Sequence, residues 1–279
     1  MLTVKKTGLY TSIQDLGRFG YRKLGVPGSG AMDSYAASVA NSLLENEEED
    51  AVLEITMTGP TLVFEKATYI ATSGAELSMK CNDESLEKNS VHKIEAGDEI
   101  SFGQLEHGFR GYLAVKGGFK TKMVLGSRSF YFPVTDLAMV KEHMQIPYEE
   151  TLDFEPRISS VTTKGFYKEN ILKVSPGPEY AMLNDTQLEA IFSKNFTIAK
   201  ENNRMAYQLE EAIEGHKMSM LTSATLPGTI QFTPAGKLII LMRDGQTTGG
   251  YPRVLQLSST AVSLLAQKKY GDHIRLRMH

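Results

Sequence analysis

The sequence predicts a mainly β protein with a few helices, built as barrels or sandwiches. Short runs of β-branched or alternating residues, bounded by Gly, Pro, Asn or Asp, recur along the chain. One amphipathic helix stands out between them, and no repeat of fixed period is present. The length of 279 residues lies in the range where a single core usually stops growing, so we expect two subdomains.

The predicted strands cover much of the chain, and each ends at a turn-forming residue or a polar cluster. They are LTVKKTG (2–8), AVLEIT (51–56), TLVFEKATYIATS (61–73), AELSMKC (75–81), HKIEAGDEISF (92–102), GYLAV (111–115), ILKVS (171–175), TIQF (229–232), KLIILM (237–242), VLQLS (254–258) and HIRLRM (273–278).

The clearest helix begins after Asp33. Apolar residues from Met32 to Leu44 keep the i, i+3, i+4, i+7 spacing of one helical face, and Asp33 stands at the N-cap position. The acidic run at 45–50 opposes the negative end of a helix dipole, so we expect the helix to end near Leu44.

Two further helices are predicted in the second half. The first spans about 180–194, where Thr186 and Glu189 have capping-box spacing. The second is short and covers about 260–267. Between 150 and 170 the apolar periodicity is lost, which marks a boundary. We therefore predict an N-terminal β-rich subdomain with one amphipathic helix over 1–155 and a C-terminal β-barrel subdomain over 156–279.

Composition restricts the class of partner and the compartment. With 30 Lys and Arg against 33 Asp and Glu, and no basic stripe, nucleic acid is not expected as a partner. No run approaches the roughly 20 apolar residues that span a bilayer, and no export signal opens the chain, so we expect a cytoplasmic protein away from membranes. The single cysteine, Cys81, fits a reducing compartment and is interpreted as a small, partly buried apolar residue.

Several standard catalytic signatures are absent from the sequence. It has no GxxxxGK[ST] phosphate loop, no GxSxG elbow, no HExxH and no GxGxxG that opens a helix. The six histidines show no metal-ligand spacing, so no metal is assigned.

The most unusual segment is LIILMRDGQTTGGYP (238–252), an apolar strand followed by Arg243, Asp244 and a polar, glycine-rich turn that ends at Tyr251. Asp244 could act as a base or orient a substrate nitrogen. Hydroxyl, amide and backbone N–H groups for a carboxylate or another anion are offered by Gln246, Thr247, Thr248, Gly249 and Gly250. The alternative is a tight hairpin connection in which Asp244 is only a turn residue, and spacing alone favours that alternative.

A second candidate segment is the glycine-rich stretch 8–33. Arg18 and Arg22 in this stretch could bind a carboxylate or phosphate bidentately. The alternative is a long irregular loop in which Asp33 only caps the helix. A third segment, NNRMAYQLE (202–210), places Arg204 before an amphipathic strand but indicates no function by itself.

Taken in order, these segments resemble a known family. It is the large member of the KipI–KipA pair, also called the C subunit of bacterial ATP-dependent 5-oxoprolinase, which is related to the allophanate-hydrolase-type, carboxyltransferase-like domain of urea carboxylase. The matching pieces are QDLGRFGYRKLGVPGSGAMD (14–33), LEIT (53–56) with GP (59–60), GYLAVKGGF (111–119), GSRS (126–129), SPGPEY (175–180), NRMAYQLE (203–210), LPGTIQF (226–232) and LIILMRDGQTTGGYP (238–252).

The resemblance implies cyclophilin-like β-barrel subdomains and a smaller partner of the KipI or 5-oxoprolinase B-subunit type. It also implies a LamB/YcsF-type A-subunit partner, and cleavage of 5-oxoproline to glutamate with ATP by a chain that is inactive alone. Carried over by position, the expected catalytic residues are Asp244 and Arg204. The expected substrate- or phosphate-binding residues are Arg18, Asp33, Gln246, Thr247, Thr248, Gly249, Gly250 and Tyr251.

Two other functions fit the same resemblance. One is the carboxyltransferase subunit of a biotin-dependent urea carboxylase or allophanate-type system, in which biotin would come from another chain. The other is a KipA-like regulatory protein that binds a kinase-inhibitor subunit.

Overall fold

The computed structural model of the protein describes residues 1–163 and 168–279. These residues form two compact units, one made of 1–19 and 29–163 and the other of 20–28 and 168–279. Part of the predicted boundary region, residues 164–167, lies outside the described residues. Within the described residues, no helix is both long and apolar enough to span a bilayer.

The first unit is a strongly curved nine-stranded sheet. Its strands are β1 (Leu2–Lys6), β2 (Tyr10–Gln14), β3 (Val52–Thr56), β4 (Thr61–Phe64), β5 (Thr68–Cys81), β6 (Glu84–Leu86), β7 (Val91–Ile94), β8 (Glu99–Val115) and β9 (Gln145–Ile146). The order is β2-β3-β8-β4-β1-β9, and β5 pairs with β6, β7 and β8. All the ladders are antiparallel. The two long strands, β5 and β8, pair with each other and connect the remaining strands, because β8 also pairs with β3 and β4 and β5 also pairs with β6 and β7.

Helix α1 (Ser34–Leu43) packs on this sheet and begins where the sequence predicts. The Asp33 carboxylate accepts a hydrogen bond from Ala36 N at 3.0 Å, which confirms the N-cap. Ala40 and Leu43 are buried in a core cluster that includes Tyr112 of β8. The helix ends at Leu43 with Leu44 as its C-cap, as the acidic run indicated.

The second unit is a closed barrel, whose order is β10-β17-β14-β15-β12-β11-β18. Its strands are β10 (Ile171–Pro176), β11 (Phe196–Asn202), β12 (Ala206–Leu209), β14 (Thr229–Phe232), β15 (Leu238–Leu241), β17 (Arg253–Leu257) and β18 (His273–Met278). A parallel pair, β10 with β18, closes it. A two-stranded ribbon is added by β13 (Ser223–Ala224) and β16 (Thr248–Gly249).

The barrel interior is a packed apolar core. The strand register aligns Tyr207 with Ile240, Ile240 with Ile230, and Ile230 with Leu255. All four side chains are fully buried. Because side chains alternate between the two faces of a strand, the residues between them lie on the outer face of the barrel.

The helices of the second unit are α2 (Asp185–Ser193) and α3 (Ser259–Ala266). The prediction for α3 is confirmed, with Ser258 as its N-cap. The predicted start of α2 was wrong. A separate 3₁₀ turn occupies Tyr180–Met182, and the capping box is formed by Asn184 and Gln187.

Most predicted strands are confirmed, with corrected limits. The run at 61–73 divides into β4 and the start of β5, which continues without a break through 75–81. The run at 92–102 divides into the end of β7 and the start of β8. The interpretation of 8–33 as irregular loop was wrong at its start, since Tyr10–Gln14 is strand β2. Strand β11 was not predicted.

Cys81 at the end of β5 is half-buried and packs against the core of the first unit. Burial, followed by the nearby Asp98 carboxylate, raises the pKa of its thiol to about 11 from an ordinary 9.0. At pH 7.5 the thiolate fraction is therefore about 100-fold lower than that of an ordinary thiol. We expect alkylation by iodoacetamide at pH 7.5 to be slow in the folded protein and fast in urea. Equal rates in the two conditions would contradict this account.

Candidate functional site

The candidate site lies where the chain leaves β15. Met242 N donates to Met205 O and Asp244 N donates to Arg204 O, both at 2.9 Å. These two backbone hydrogen bonds continue the antiparallel pairing of β12 and β15 past the ends of both strands. Asp244 is therefore held beside Arg204, although 40 residues separate them in the sequence.

Arg204 and Asp244 form a buried, bidentate ion pair. Arg204 Nε lies 2.7 Å from Asp244 Oδ2, and Arg204 Nη2 lies 3.2 Å from Oδ1. Each residue is only 7% exposed. Paired guanidinium and carboxylate groups in this geometry are fixed in orientation and stabilise each other's charge. The structure thus brings together the two residues that the resemblance singled out as catalytic.

The hairpin alternative for residues 238–252 was wrong. Strand β14 lies between β15 and β17 in the barrel, so β15 and β17 do not pair. The connecting loop instead folds over the barrel surface, where β16 pairs with β13 through Thr248–Ala224 and Gly249–Ser223. The loop covers part of the outer face and is not a turn between neighbouring strands.

Two glutamine amides meet at this loop, the buried Gln231 beneath it and the exposed Gln246 within it. Gln231 is 1% exposed and alternates with the core residue Ile230, so it points to the outer face of β14. A Cβ on Gly249 would stand 2.3 Å from Gln231 Nε2 and 2.6 Å from Gln246 Nε2, so a larger residue there would displace both amide groups. Gln246 Nε2 donates to Gln231 Oε1 at 3.4 Å.

Gln231 Nε2 is a buried donor that has no hydrogen-bond acceptor among the described residues. Leaving such a group unsatisfied costs free energy, so it favours a ligand or water that accepts a hydrogen bond there. Sequence analysis did not select Gln231. The available signal was a lone polar residue in the otherwise apolar part of TIQF.

Residues 20–28 of the glycine-rich stretch fold with the second unit and reach the same loop. An Arg22 guanidinium nitrogen donates to the carbonyl oxygen of Thr225. Thr225 N in turn donates to Thr247 O at 3.0 Å. Burial lowers the pKa of Arg22 from its ordinary value. This half-buried cation is therefore linked to the predicted anion-binding turn through a single residue, Thr225.

Arg253, directly after the loop, is anchored by Glu179 of the SPGPEY segment. Its Nε and Nη2 atoms donate to the two Glu179 carboxylate oxygens at 2.9 and 2.7 Å. These hydrogen bonds lower the pKa of Glu179. Arg253 Nη1 also donates to Ala224 O in β13. The pair thus links two of the family-like segments and supports the ribbon that carries Gly249.

The structure divides the predicted site residues between the two units. Those in the second unit are Arg204, Asp244, Gln246, Thr247, Thr248, Gly249, Gly250 and Tyr251. Arg18 and Asp33 belong to the first unit. Arg18 is 1% exposed and donates to the backbone carbonyls of Ser129 and Val124. These hydrogen bonds hold Arg18 against the segment at 124–129. Its role in binding substrate or phosphate stays a prediction.

Asp33 joins a buried polar cluster in the first unit. Its backbone N–H donates to Tyr112 Oη at 2.8 Å, and Tyr112 Oη donates to Glu54 Oε2 at 2.8 Å. Glu54 faces Arg110 at 3.9 Å. Burial, with the Glu54 charge next in size, raises the pKa of Tyr112 well above its usual value. Tyr112 therefore stays a neutral hydroxyl that orients the start of α1.

One group of potential metal ligands was not visible in the sequence spacing, because its members come from different strands. Glu76, Glu106 and His107 place ligand atoms within 4.8 Å of one another. His107 Nδ1 lies 2.8 Å from Glu76 Oε2, and Lys88 Nζ lies 3.7 Å from Glu76 Oε1. The Lys88 ammonium thus balances the Glu76 carboxylate in a surface cluster.

The chain is thus a mainly β protein of two units, one of which is a closed barrel with a polar loop folded over its outer face. Residues 24–278 match the family described as carboxyltransferase domain, subdomain A and B. The chain belongs to this family.

A curated relative and two solved structures agree with this assignment. The chain is 31% identical to the C subunit of 5-oxoprolinase from Escherichia coli K12, over 98% of this chain and 90% of the relative. The crystal structure of TTHA0988 matches 99% of this chain with a TM-score of 0.90 and 25% identity. The K. lactis urea amidolyase structure matches 99% of it with a TM-score of 0.87 and 26% identity.

These two solved structures are longer than the chain, which spans 55% of TTHA0988 and 18% of the urea amidolyase. The structural agreement extends over both units of this chain. It confirms the prediction of a mainly β fold with cyclophilin-like barrel subdomains.

Proposed function

We propose that the chain is the C subunit of an ATP-dependent 5-oxoprolinase complex, which converts 5-oxoproline to glutamate and is inactive without its partner chains. The observation that carries this proposal is the identity of 31% to the E. coli 5-oxoprolinase C subunit over nearly the full length of both chains. The partners would be a smaller chain of the KipI or B-subunit type and a LamB/YcsF-type A-subunit chain.

The groups in and beneath the loop suit a lactam that carries a carboxylate. The Gln231 and Gln246 amides offer both a donor and an acceptor, which complements the ring carbonyl and ring N–H of 5-oxoproline. The half-buried Arg22 and the Thr247–Gly250 turn offer a cation, hydroxyls and backbone N–H groups for the carboxylate. Arg204 and Asp244 would fix the base of the loop and orient the reacting amide.

ATP would make the stable lactam reactive by phosphorylating its carbonyl oxygen, with release of ADP. Water would then attack that carbon, and the ring C–N bond would break as the nitrogen takes a proton, which leaves an acyl phosphate. A second water would hydrolyse the acyl phosphate to glutamate and phosphate. Charge that develops on the carbonyl oxygen is the charge that fixed donors stabilise best. Gln231 Nε2, a buried donor with no acceptor among the described residues, is the group of this chain that we assign to that oxygen.

This function is tested by purifying the chain together with both partner chains and measuring ATP hydrolysis with and without 5-oxoproline. We expect hydrolysis that depends on 5-oxoproline and on all three chains. Replacing the exposed Gln246 by alanine should lower kcat/KM for 5-oxoproline by at least about 10-fold, because one amide contact is lost. The matched control, Gln104→Ala on an exposed position of β8, should stay within about twofold of the wild type.

The second candidate function is transfer of a carboxyl group from carboxybiotin to an amide such as urea. It is favoured by the family match and by the fold shared with urea amidolyase. Carboxylation of urea by the chain with a biotin carrier, without 5-oxoproline-dependent ATP hydrolysis, would select this function. A complex that forms with the smaller partner and catalyses neither reaction would select the KipA-like regulatory role.

A further inference from the structure

A cleft opens on the outer surface of the barrel. None of the residues that line it belongs to the loop at 242–252. The cleft has a volume of about 310 Å³ and is lined by Ile171, Phe192, Arg275, Leu276, Arg277 and Met278. These residues come from β10, α2 and β18, all within the second unit. The volume falls at the lower end of the range for small-molecule sites.

Two cations on β18 face this cleft together. Arg275 and Arg277 are exposed and occupy alternate positions, so both project from the outer face about 7 Å apart along the strand. Neither side chain forms an ion pair or hydrogen bond within the described part of the chain. Lys173, also exposed, is the parallel-register neighbour of Arg277. Three neighbouring cations that form no ion pair with a described acidic residue repel one another, and a bound anion would relieve that repulsion.

Two acidic residues near this cleft reduce its net positive charge, but neither forms an ion pair with its arginines among the described residues. Glu189, one helical turn before Phe192 in α2, forms no ion pair with either arginine among the described residues. The Glu169 carboxylate accepts hydrogen bonds from Asn170 N and Ile171 N. The local excess of positive charge contrasts with the chain as a whole, whose formal charge is −3.

The remaining lining is apolar and aromatic. Phe192 is half-buried on α2, and Met278, at the end of β18, is 39% exposed. A partly exposed aromatic ring beside a pair of guanidinium groups is a combination that recurs where nucleotides bind. The ring stacks on a base, and the cations bind phosphate oxygens. The spacing of the two arginines suits a chain of phosphates better than a single carboxylate.

We propose that this cleft binds a nucleoside di- or triphosphate, with its phosphates on Arg275 and Arg277 and its base on Phe192. Lys173 adds charge at the far end of the phosphate chain. In the barrel order the cleft on β10 and β18 lies across from β14 and β15, so a nucleotide bound here is not the one that phosphorylates a lactam at Gln231. Nucleotide binding at this cleft by the isolated chain therefore does not rest on the proposed function. Failure of the oxoproline-dependent reaction would therefore leave this inference standing, and failure of binding would leave the reaction standing.

The test is isothermal titration of the chain with ATP, with tripolyphosphate and with adenosine. We expect ATP to bind more tightly than either of its two parts. The double substitution Arg275→Gln/Arg277→Gln should weaken ATP binding by at least about 10-fold, because two charge-assisted contacts are lost. Phe192→Leu should weaken the binding of ATP but leave that of tripolyphosphate unchanged, because only the base meets the ring.

The matched control is Lys122→Gln/Lys141→Gln, which removes two exposed charges from the first unit and should leave ATP binding unchanged. Circular dichroism of each variant shows whether the barrel is intact. Phe192→Leu provides a second variant, in which the positive charge of the cleft is unchanged. The inference is overturned if the wild type does not bind ATP, if Arg275→Gln/Arg277→Gln binds ATP as the wild type does, or if tripolyphosphate binds as tightly as ATP.

Discussion

Asp244→Ala is expected to destabilise the barrel unit by about 3–5 kcal/mol, because it leaves the Arg204 guanidinium buried without its counter-ion. Both side chains are less than one-tenth exposed, so solvent screens the uncompensated charge poorly. Arg204→Ala should have a similar effect, since it leaves the Asp244 carboxylate uncompensated. Hydrogen-exchange mass spectrometry of β12 and β15 would measure the loss, and it separates this unit from the other.

The double substitution Arg204→Met/Asp244→Leu provides the control. It removes both charges and keeps most of the apolar volume, so it should recover most of the stability lost in either single variant. The double-mutant cycle should yield an interaction free energy of about 2 kcal/mol or more between the two positions. Additive single effects would show that the pair does not interact as the geometry indicates.

The same double variant separates a structural role of the pair from a catalytic one. If it folds and forms the complex but lacks 5-oxoproline-dependent ATP hydrolysis, the charges act on the reaction. If it keeps that activity, the pair only holds the loop, and the catalytic assignment of Asp244 and Arg204 fails. Asp244→Ala alone cannot distinguish these outcomes, because the variant loses stability as well.

The strands that sequence analysis identified are those with an apolar face or an apolar run. β15 is an example, because Leu238–Leu241 are apolar at every position. β2 was missed because Thr11, Ser12 and Gln14 are polar yet fully buried, so the strand has no apolar alternation. A burial pattern of this kind depends on hydrogen bonds to distant segments, which local periodicity does not report.

The candidate site was predictable in part for a similar reason. The loop at 238–252 has an unusual local composition, and Asp244 was selected on that basis. Its partnership with Arg204 and the position of Gln231 beneath Gly249 depend on strand register in the closed barrel. The Arg253–Glu179 pair bridges 74 residues. Contacts at such separation have no local signature, so only the resemblance brought Arg204 into the predicted set.

Asp15→Ala is expected to have the second large effect, in the first unit. The buried Asp15 carboxylate accepts four hydrogen bonds, which come from Gly17 N, Ser127 Oγ, Arg128 N and Ser129 Oγ at 2.5–2.8 Å. It joins the segment at 14–18 to GSRS at 126–129, two of the family-like pieces. Alanine would leave these buried donors unsatisfied and should cost about 3–5 kcal/mol, measured by urea unfolding followed by circular dichroism and by hydrogen exchange of β2.

Asp15→Asn tests whether the hydrogen bonds, rather than the volume of the side chain, carry this effect. Three of the four donors bind Oδ1, which asparagine retains, and only Arg128 N binds Oδ2. Asparagine should therefore cost about 1–3 kcal/mol, clearly less than alanine. Asp136→Ala, at an exposed aspartate of the same unit, should change stability by no more than about 0.5 kcal/mol. Equal losses for Asn and Ala would mean that the negative charge itself, and not the set of hydrogen bonds, holds the two segments together.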